Sequence, residues 1–200
     1  MEDGQIMEMR AVLEAPAVRA RAGDPDAALV AAALQTPQAF LALYDRYFDR
    51  ILGYVRLRLR DDSVCEDVTS TVFTTALAQL RRFRGDGAFA GWLFQIARNA
   101  VRDVQRRPAT VPLPDDVASL QPGSLEPDLE ERLLAWERAA ELQALIRQLP
   151  AKQQHLLALR YGAGLSFDEI AAIVGAAPGT VRVRVHRILE QLRRRYPNDD

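Results

Sequence analysis

The sequence predicts an all-α fold of two small helical domains, a helical bundle and a helix-turn-helix unit, joined by a flexible linker. Three observations carry this. Apolar residues recur at three- and four-residue steps along every long segment, and no segment alternates apolar and polar residues as a strand would. Five prolines, at 108, 112, 114, 122 and 127, interrupt the pattern between two helical halves. The 200 residues are 48% hydrophobic and 26% charged, a balance that excludes fibrous and disordered classes.

The elements follow in order. Asp24-Pro25 and Thr36-Pro37 each place a capping side chain before a proline, which predicts a helix start at both. From the second start, Phe40, Leu43, Tyr44, Tyr47, Ile51, Tyr54 and Val55 form one buried stripe on a helix running to about Arg60, and Asp61-Asp62-Ser63 breaks it. A third helix, from about Ser63 to Arg82, buries Val64, Val68, Val72, Phe73, Ala76 and Leu80. Glycines make 83–87 a loop. A fourth helix, about 88–107, sets Phe89, Leu93, Ile96, Ala97, Ala100 and Val104 on one side and Gln95, Arg98, Arg102, Gln105 and Arg106 on the other.

Beyond the linker, helices are predicted over 129–149 and 151–161, the latter ended by Gly162 and Gly164. Ser166-Phe167-Asp168-Glu169 fits a capping box, so a helix begins there, with Phe167, Ile170, Ala171 and Val174 buried and Gly175 turning the chain. Pro178 opens a final helix to about Arg195, with Val181, Val185, Ile188, Leu189 and Leu192 as its apolar stripe. The expected organisation is an N-terminal extension, partly disordered, at 1–24, a first domain at 25–107, an acidic linker at 108–128 and a second domain at 129–196. Fully extended, about 20 linker residues reach on the order of 65 Å.

Charge is divided the same way. The net −1 resolves into −3 over 1–36, +4 over 37–107, −5 over 108–149 and +3 over 150–200. Two basic blocks around an acidic connector suit two surfaces that meet a polyanion; two solvated helix faces give the same arithmetic. On the last helix, Val183, His186, Arg187, Glu190 and Arg194 lie opposite the apolar stripe, flanked by Arg182 and Arg184. An exposed valine among arginines suits a thymine methyl, and Arg184 or Arg187 suits guanine. Arg193-Arg194-Arg195 suits phosphates. In the first half, Arg98, Arg102 and Arg106 lie beside Trp92, Phe94 and the 83–88 loop, an arrangement able to hold a single strand, although each aromatic taken singly reads as core.

No enzyme motif is present: no phosphate loop, no dinucleotide-binding glycine pattern, no His-Glu-x-x-His and no serine elbow. With one cysteine, Cys65, and two histidines, a closed zinc site is excluded, and no cofactor is expected. Cys65 reads as a small buried residue and His155 as a surface or boundary residue. No apolar run approaches a bilayer span and no leader pattern is seen, so a cytoplasmic protein without membrane insertion is expected.

Taken in order, these residues resemble the RNA polymerase sigma factors of the extracytoplasmic-function group. Leu43-Tyr44-Asp45-Arg46-Tyr47, Cys65-Glu66-Asp67-Val68-Thr69 and Trp92-Leu93-Phe94-Gln95-Ile96-Ala97-Arg98-Asn99 look like sigma region 2. Leu149-Pro150, Leu159-Arg160-Tyr161, Asp168-Glu169-Ile170-Ala171 and Gly179-Thr180-Val181 leading to His186-Arg187 look like region 4. The resemblance implies a non-catalytic subunit that binds core RNA polymerase through the β′ clamp helices and the β flap and directs it to promoter DNA. Glu66, Asp67, Ser70 and Thr74 should face polymerase. Arg84, Asp86, Arg98, Asn99, Arg102 and Arg106 should hold the −10 element, and Thr180, Arg182, Val183, Arg184, His186, Arg187 and Arg194 should read the −35 element. An anti-sigma factor is the implied regulator. The sequence departs from the group at Ser70-Thr71, commonly Gln-Glu, at Gln154, commonly arginine, and at Val183 and Val185, usually serine and leucine. The competing readings are a dimeric helix-turn-helix regulator that binds duplex without polymerase, and a helical protein-interaction module.

Overall fold

The computed structural model describes residues 24–83, 88–106 and 140–195, and among these every regular element is helical. In the first unit, α1 (Ala27–Gln35), α2 (Phe40–Arg56), α3 (Asp62–Gln79) and α4 (Phe89–Arg106) form a bundle. In the second, α5 (described over 140–147), α6 (Ala151–Leu157) running into a π-helical turn at Ala158–Gly162, α7 (Phe167–Val174) and α8 (Pro178–Arg195) make the helix-turn-helix unit. The extension before Asp24, the linker, and the expected helical residues 129–139 lie outside the described residues.

The proline signals locate helix starts to within a few residues and mis-assign the caps. Helix α1 begins at Ala27, after Pro25, with Asp26 as its N-cap. Asp24 is used across the bundle instead: one carboxylate oxygen accepts the Asp26 N–H at 3.1 Å, and the other accepts the Phe89 N–H at 2.9 Å, at the start of α4. Thr36 makes no side-chain cap; Pro37–Ala39 is a short 3₁₀ turn leading into α2. Helix α2 ends at Arg56 rather than near Arg60, because Arg58 N–H turns back to the Val55 carbonyl at 2.9 Å and Asp61 then accepts Val64 N–H at 3.1 Å to start α3.

Within the bundle α2 is the central element, burying Phe40, Leu43, Tyr47, Ile51, Tyr54 and Val55. Asp26, itself buried, accepts the Tyr47 hydroxyl and meets Arg46 Nη1 at 3.1 Å, which ties α1 to α2. Burial, followed by the hydrogen bond to Asp26, pushes the Tyr47 phenol far up. Cys65 is buried on α3, where the Thr69 hydroxyl donates to its carbonyl at 2.8 Å; burial pushes its thiol up to about 11.

Helix α4 buries a different set from the wheel's. Phe94 and Val101 are fully buried, while Ile96, Ala100 and Val104 are only partly covered. The cause is a second neighbour: Tyr54 of α2 meets Phe94 edge-on at 5.6 Å, and Gly91 lies against Ile173 of α7. A helix covered from two sides carries a wider apolar band than a one-sided wheel assigns.

In the second unit, the Ser166 hydroxyl accepts Glu169 N–H at 3.2 Å and Glu169 accepts Ser166 N–H at 2.8 Å, the capping box read from sequence. Gly175 closes α7 at φ +67, a left-handed position that favours glycine. Gln154 is buried and donates to the carbonyls of Arg147 and Leu149 at 2.9 and 2.8 Å, so the residue that departs from the group's arginine satisfies the end of α5. The two units share one apolar core, with α2 against the π turn and α7 against α4.

Candidate nucleic-acid and polymerase interface

On α8, burial of Val181, Val185, Ile188 and Leu192 points the remaining positions outward. Thr180, Arg182, Val183, Arg184, His186, Arg187 and Arg194 are all exposed, as the sequence predicts. They divide into three directions. Thr180, Val183, Arg187, Glu190 and Arg194 follow each other at three- and four-residue steps on the face turned from the core. Arg184 and Arg187 share a groove between α6 and α8 with Lys152, Gln153 and Gln191. Arg182 turns the other way, its guanidinium 5.4 Å from the Phe167 ring, on which Arg160 also sits at 4.6 Å. His186 Nε2 meets Glu190 Oε1 at 3.4 Å. Val183 is 49% exposed with no apolar neighbour demanded by the fold, which leaves the valine available to a ligand.

In the first unit, Gln95, Arg98, Arg102 and Arg106 are exposed along α4, and Asn99 is half-buried beside them, accepting from Gln95 at 3.4 Å. Arg84 and Asp86 lie outside the described residues. Gln105 leaves the stripe to pair with Arg58, accepting its Nη2 at 3.4 Å and donating to its carbonyl at 3.2 Å. Of the flanking aromatics, Phe89 and Phe94 are core, and Trp92 is half-buried against Phe83 and Phe89 at 5.3 and 5.7 Å between ring centres.

On α3, Glu66, Ser70 and Thr74 make one exposed row at four-residue steps, with Asp67 beside them. Leu77, 44% exposed, continues the row, so the face grades from acidic through hydroxyl to apolar. Such a face suits a protein surface better than a nucleic acid.

One residue is not where sequence reasoning puts it, and another was given no place by it. His155 is buried rather than at the surface: its Nδ1 lies 2.8 Å from the Tyr54 hydroxyl and the rings meet edge-on at 5.6 Å. Arg58, which no sequence pattern singled out, is buried with Nη1 donating to the Tyr54 oxygen at 3.3 Å. Arg58 stands four residues after Tyr54, on the sequence's expected continuation of α2 to about Arg60, which is the signal that could have found it. With the Tyr54 oxygen accepting from Arg58, its hydroxyl proton is free to point at His155 Nδ1. Burial, then the charges of Arg98 and Arg58, lowers the His155 pKa to about 4, and burial pushes the Tyr54 phenol up to about 12. His155 is therefore neutral at neutral pH.

This fixes the sign of a pH effect. Because packing depresses the His155 pKa below its ordinary value, the stabilisation from burying neutral His155 is complete above about pH 6.5 and falls away as pH drops toward 4. The full difference is on the order of 3 kcal/mol. Thermal melts across that range should show a larger loss for the natural chain than for His155→Gln; equal losses would place the titration elsewhere.

The two helical heads thus carry a basic stripe along α4 and an arginine-lined last helix in a helix-turn-helix, the architecture of a transcription factor. Residues 43–110 match the family model for Sigma-70 region 2, and residues 139–192 match that for Sigma-70, region 4. The chain is 31% identical over 182 residues to the ECF RNA polymerase sigma factor BldN of Streptomyces coelicolor, covering 90% of this chain and 64% of BldN. It is 32% identical over 163 residues to the RNA polymerase sigma-H factor of Pseudomonas aeruginosa, covering 78% of this chain and 84% of that one. The fold is similar to CnrH, solved in complex with the cytosolic domain of CnrY, with a TM-score of 0.61 at 23% identity over 86% of this chain and 97% of CnrH. The chain belongs to the sigma-70 family, as a sigma factor of the extracytoplasmic-function group that directs promoter-specific transcription.

Proposed function

We propose that this sigma factor docks on core RNA polymerase through the Glu66, Asp67, Ser70, Thr74 face of α3, and that its two heads then divide the promoter. The second unit, 129–196, reads the −35 element as duplex through Thr180, Val183, Arg184, His186, Arg187 and Arg194, with Arg182 on the adjoining backbone. The first unit, 25–107, holds the opened −10 element along Arg98, Asn99, Arg102 and Arg106, joined by Arg84 and Asp86. The linker, 108–128, spans the gap. The observation that carries this reading is the exposed Val183 set among arginines on α8, a combination that suits base edges and has no role in the core.

Polymerase supplies the chemistry, and the chain itself is not an enzyme. It acts in the cytoplasm, where polymerase and promoters are. A chain with net charge −1 has little general affinity for DNA and relies on polymerase to bring it there. CnrH is described with the cytosolic domain of CnrY, and the RpoE of Bartonella quintana with the anti-sigma factor NepR. We propose a partner of the anti-sigma class for this chain too.

The test adds the purified chain to core polymerase and maps transcript starts genome-wide. New starts sharing paired, asymmetric upstream elements are expected; starts unchanged from core alone would remove the reading. A palindromic site bound without polymerase would favour a dimeric helix-turn-helix regulator instead. At finer grain, Arg102→Ala should slow promoter opening, read by permanganate reactivity near −10, while polymerase assembly stays within about twofold. An assembly defect as large as the opening defect would contradict the face assignment.

A further inference from the structure

A helix leaves its first N–H groups without partners, and a side chain at the residue just before it normally accepts from one of them. Helix α4 has no such side chain. Ala88 stands at that place, its carbonyl accepting the Gly91 and Trp92 N–H groups at 3.0 and 3.4 Å, and its methyl offers no acceptor. The Phe89 N–H goes instead to Asp24, 65 residues earlier in the chain, at 2.9 Å. Asp24 is 9% exposed and makes no ion pair among the described residues; its other oxygen accepts the Asp26 N–H at 3.1 Å. A buried carboxylate without a cation is costly unless N–H groups and a helix N-terminus offset the lost water, and Asp24 has both.

The end of α4 that Asp24 holds is the end from which the proposed −10 row runs. Trp92, Gln95, Asn99, Arg102 and Arg106 follow each other at three- and four-residue steps. Trp92 is half-buried one turn after Phe89, with ring centres 5.7 Å apart, and Phe83 lies against it at 5.3 Å. Asp26 accepts the Tyr47 hydroxyl, and the Tyr47 ring stands 5.8 Å from that of Phe89. Asp24 and Asp26 therefore tie the start of α1 to α4 and to α2 together. Apolar packing of these rings is non-directional, whereas the Asp24 hydrogen bond is directional, so the bond sets how α4 is turned and slid against α1.

We infer that Asp24 is a positioning residue for promoter opening: by capping α4 from the start of α1, it holds the Trp92 end of the row where the opened −10 strand is met. This rests on the proposed division of the promoter between the two units. Asp24 touches no DNA and acts through the Phe89 N–H. Without it the first turn of α4 loses its cap and its link to α1 at once. A lost cap is worth about a tenfold shift in an equilibrium, and here that shift falls on the share of chains whose row is in place.

The experiment uses the full chain with core polymerase on a mapped promoter. It reads the melting temperature, polymerase affinity by fluorescence anisotropy, and the rate at which thymines near −10 become reactive to permanganate. Asp24→Ala should slow opening about 10-fold while polymerase affinity stays within about twofold. Asp24→Asn, which has one acceptor oxygen for two N–H groups, should fall between. Ala88→Ser supplies a cap within α4, for the Ala90 or Gly91 N–H, and no link to α1. Added to Asp24→Ala, it should restore the melting temperature and leave opening at least about fivefold slow. Opening restored together with the melting temperature would overturn the inference, because Asp24 would then serve stability alone. Opening at the natural rate in Asp24→Ala, or a polymerase defect as large as the opening defect, would overturn it too. Asp24→Asn combined with Ala88→Ser decides the matter if Asp24→Ala does not fold. Failure of the natural chain itself to open any promoter would overturn the proposed function and this inference with it, whereas normal opening by the variants removes the role of Asp24 alone.

Discussion

Replacing both Arg184 and Arg187 with glutamate is expected to lower promoter-specific transcription by about 10³-fold and to leave the fold intact. Both side chains are exposed on α8 and neither forms an ion pair among the described residues, so the apolar stripe of Val181, Val185, Ile188 and Leu192 is untouched. Each arginine is proposed to contact a base edge, a contact worth about 1–3 kcal/mol, so losing two gives about 4 kcal/mol, or about 10³ in an equilibrium constant. Glutamate also meets phosphates with the wrong sign, which steepens the loss at low salt. Run-off transcription from a mapped promoter, beside a thermal melt, separates the two effects. Full transcription by the double variant would favour the helical interaction module over any DNA-reading role. Single changes refine it: Arg187→Ala should lose preference at one −35 base pair, whereas an equal loss on every promoter would mark a phosphate contact.

The second large effect is on stability. Phe94→Ala should destabilise the chain by about 3–5 kcal/mol, as removal of a fully buried phenylalanine does when its surroundings cannot collapse. The cavity would open against Tyr54, whose ring stands edge-on to Phe94 at 5.6 Å and whose hydroxyl holds both His155 and Arg58. Damage is therefore expected to reach the junction between the units. Trp92→Ala, at a half-buried position one turn from the basic stripe, should cost less stability. Urea titrations of the two variants check the order, and a smaller loss for Phe94 than for Trp92 would reverse the assignment of core and surface on α4.

The helix that carries Phe94 also shows where sequence reasoning stops. Features that depend on a few neighbouring residues were readable: the Ser166–Glu169 capping box, the left-handed Gly175, the Asp61 break, and the outward direction of Val183 and Arg187 all follow from local spacing. A helical wheel, however, assumes one covered side. Helix α4 is covered by α3, α2 and α7 together, so Phe94 and Val101 are buried although the wheel left them out, while Ile96, Ala100 and Val104 are only partly covered. His155 and Arg58 escaped for the same reason. Each is polar and unremarkable in its own stretch of chain, and they are buried around Tyr54 only where α2 meets the second unit and Gln105 of α4. Asp24 illustrates the converse: its capping chemistry was legible, but its client proved to be Phe89, 65 residues away. The outward direction of the proposed faces was more legible than the core, because an exposed position needs no partner within the fold.

The most direct test of the account places a photo-crosslinking residue at position 102 or at position 187 of the full chain and traps the open complex with core polymerase on a mapped promoter. Position 102 is predicted to crosslink the non-template strand near −10, and position 187 the duplex near −35, in one and the same complex. Crosslinks from both positions to a single element, or from neither to DNA, would contradict it.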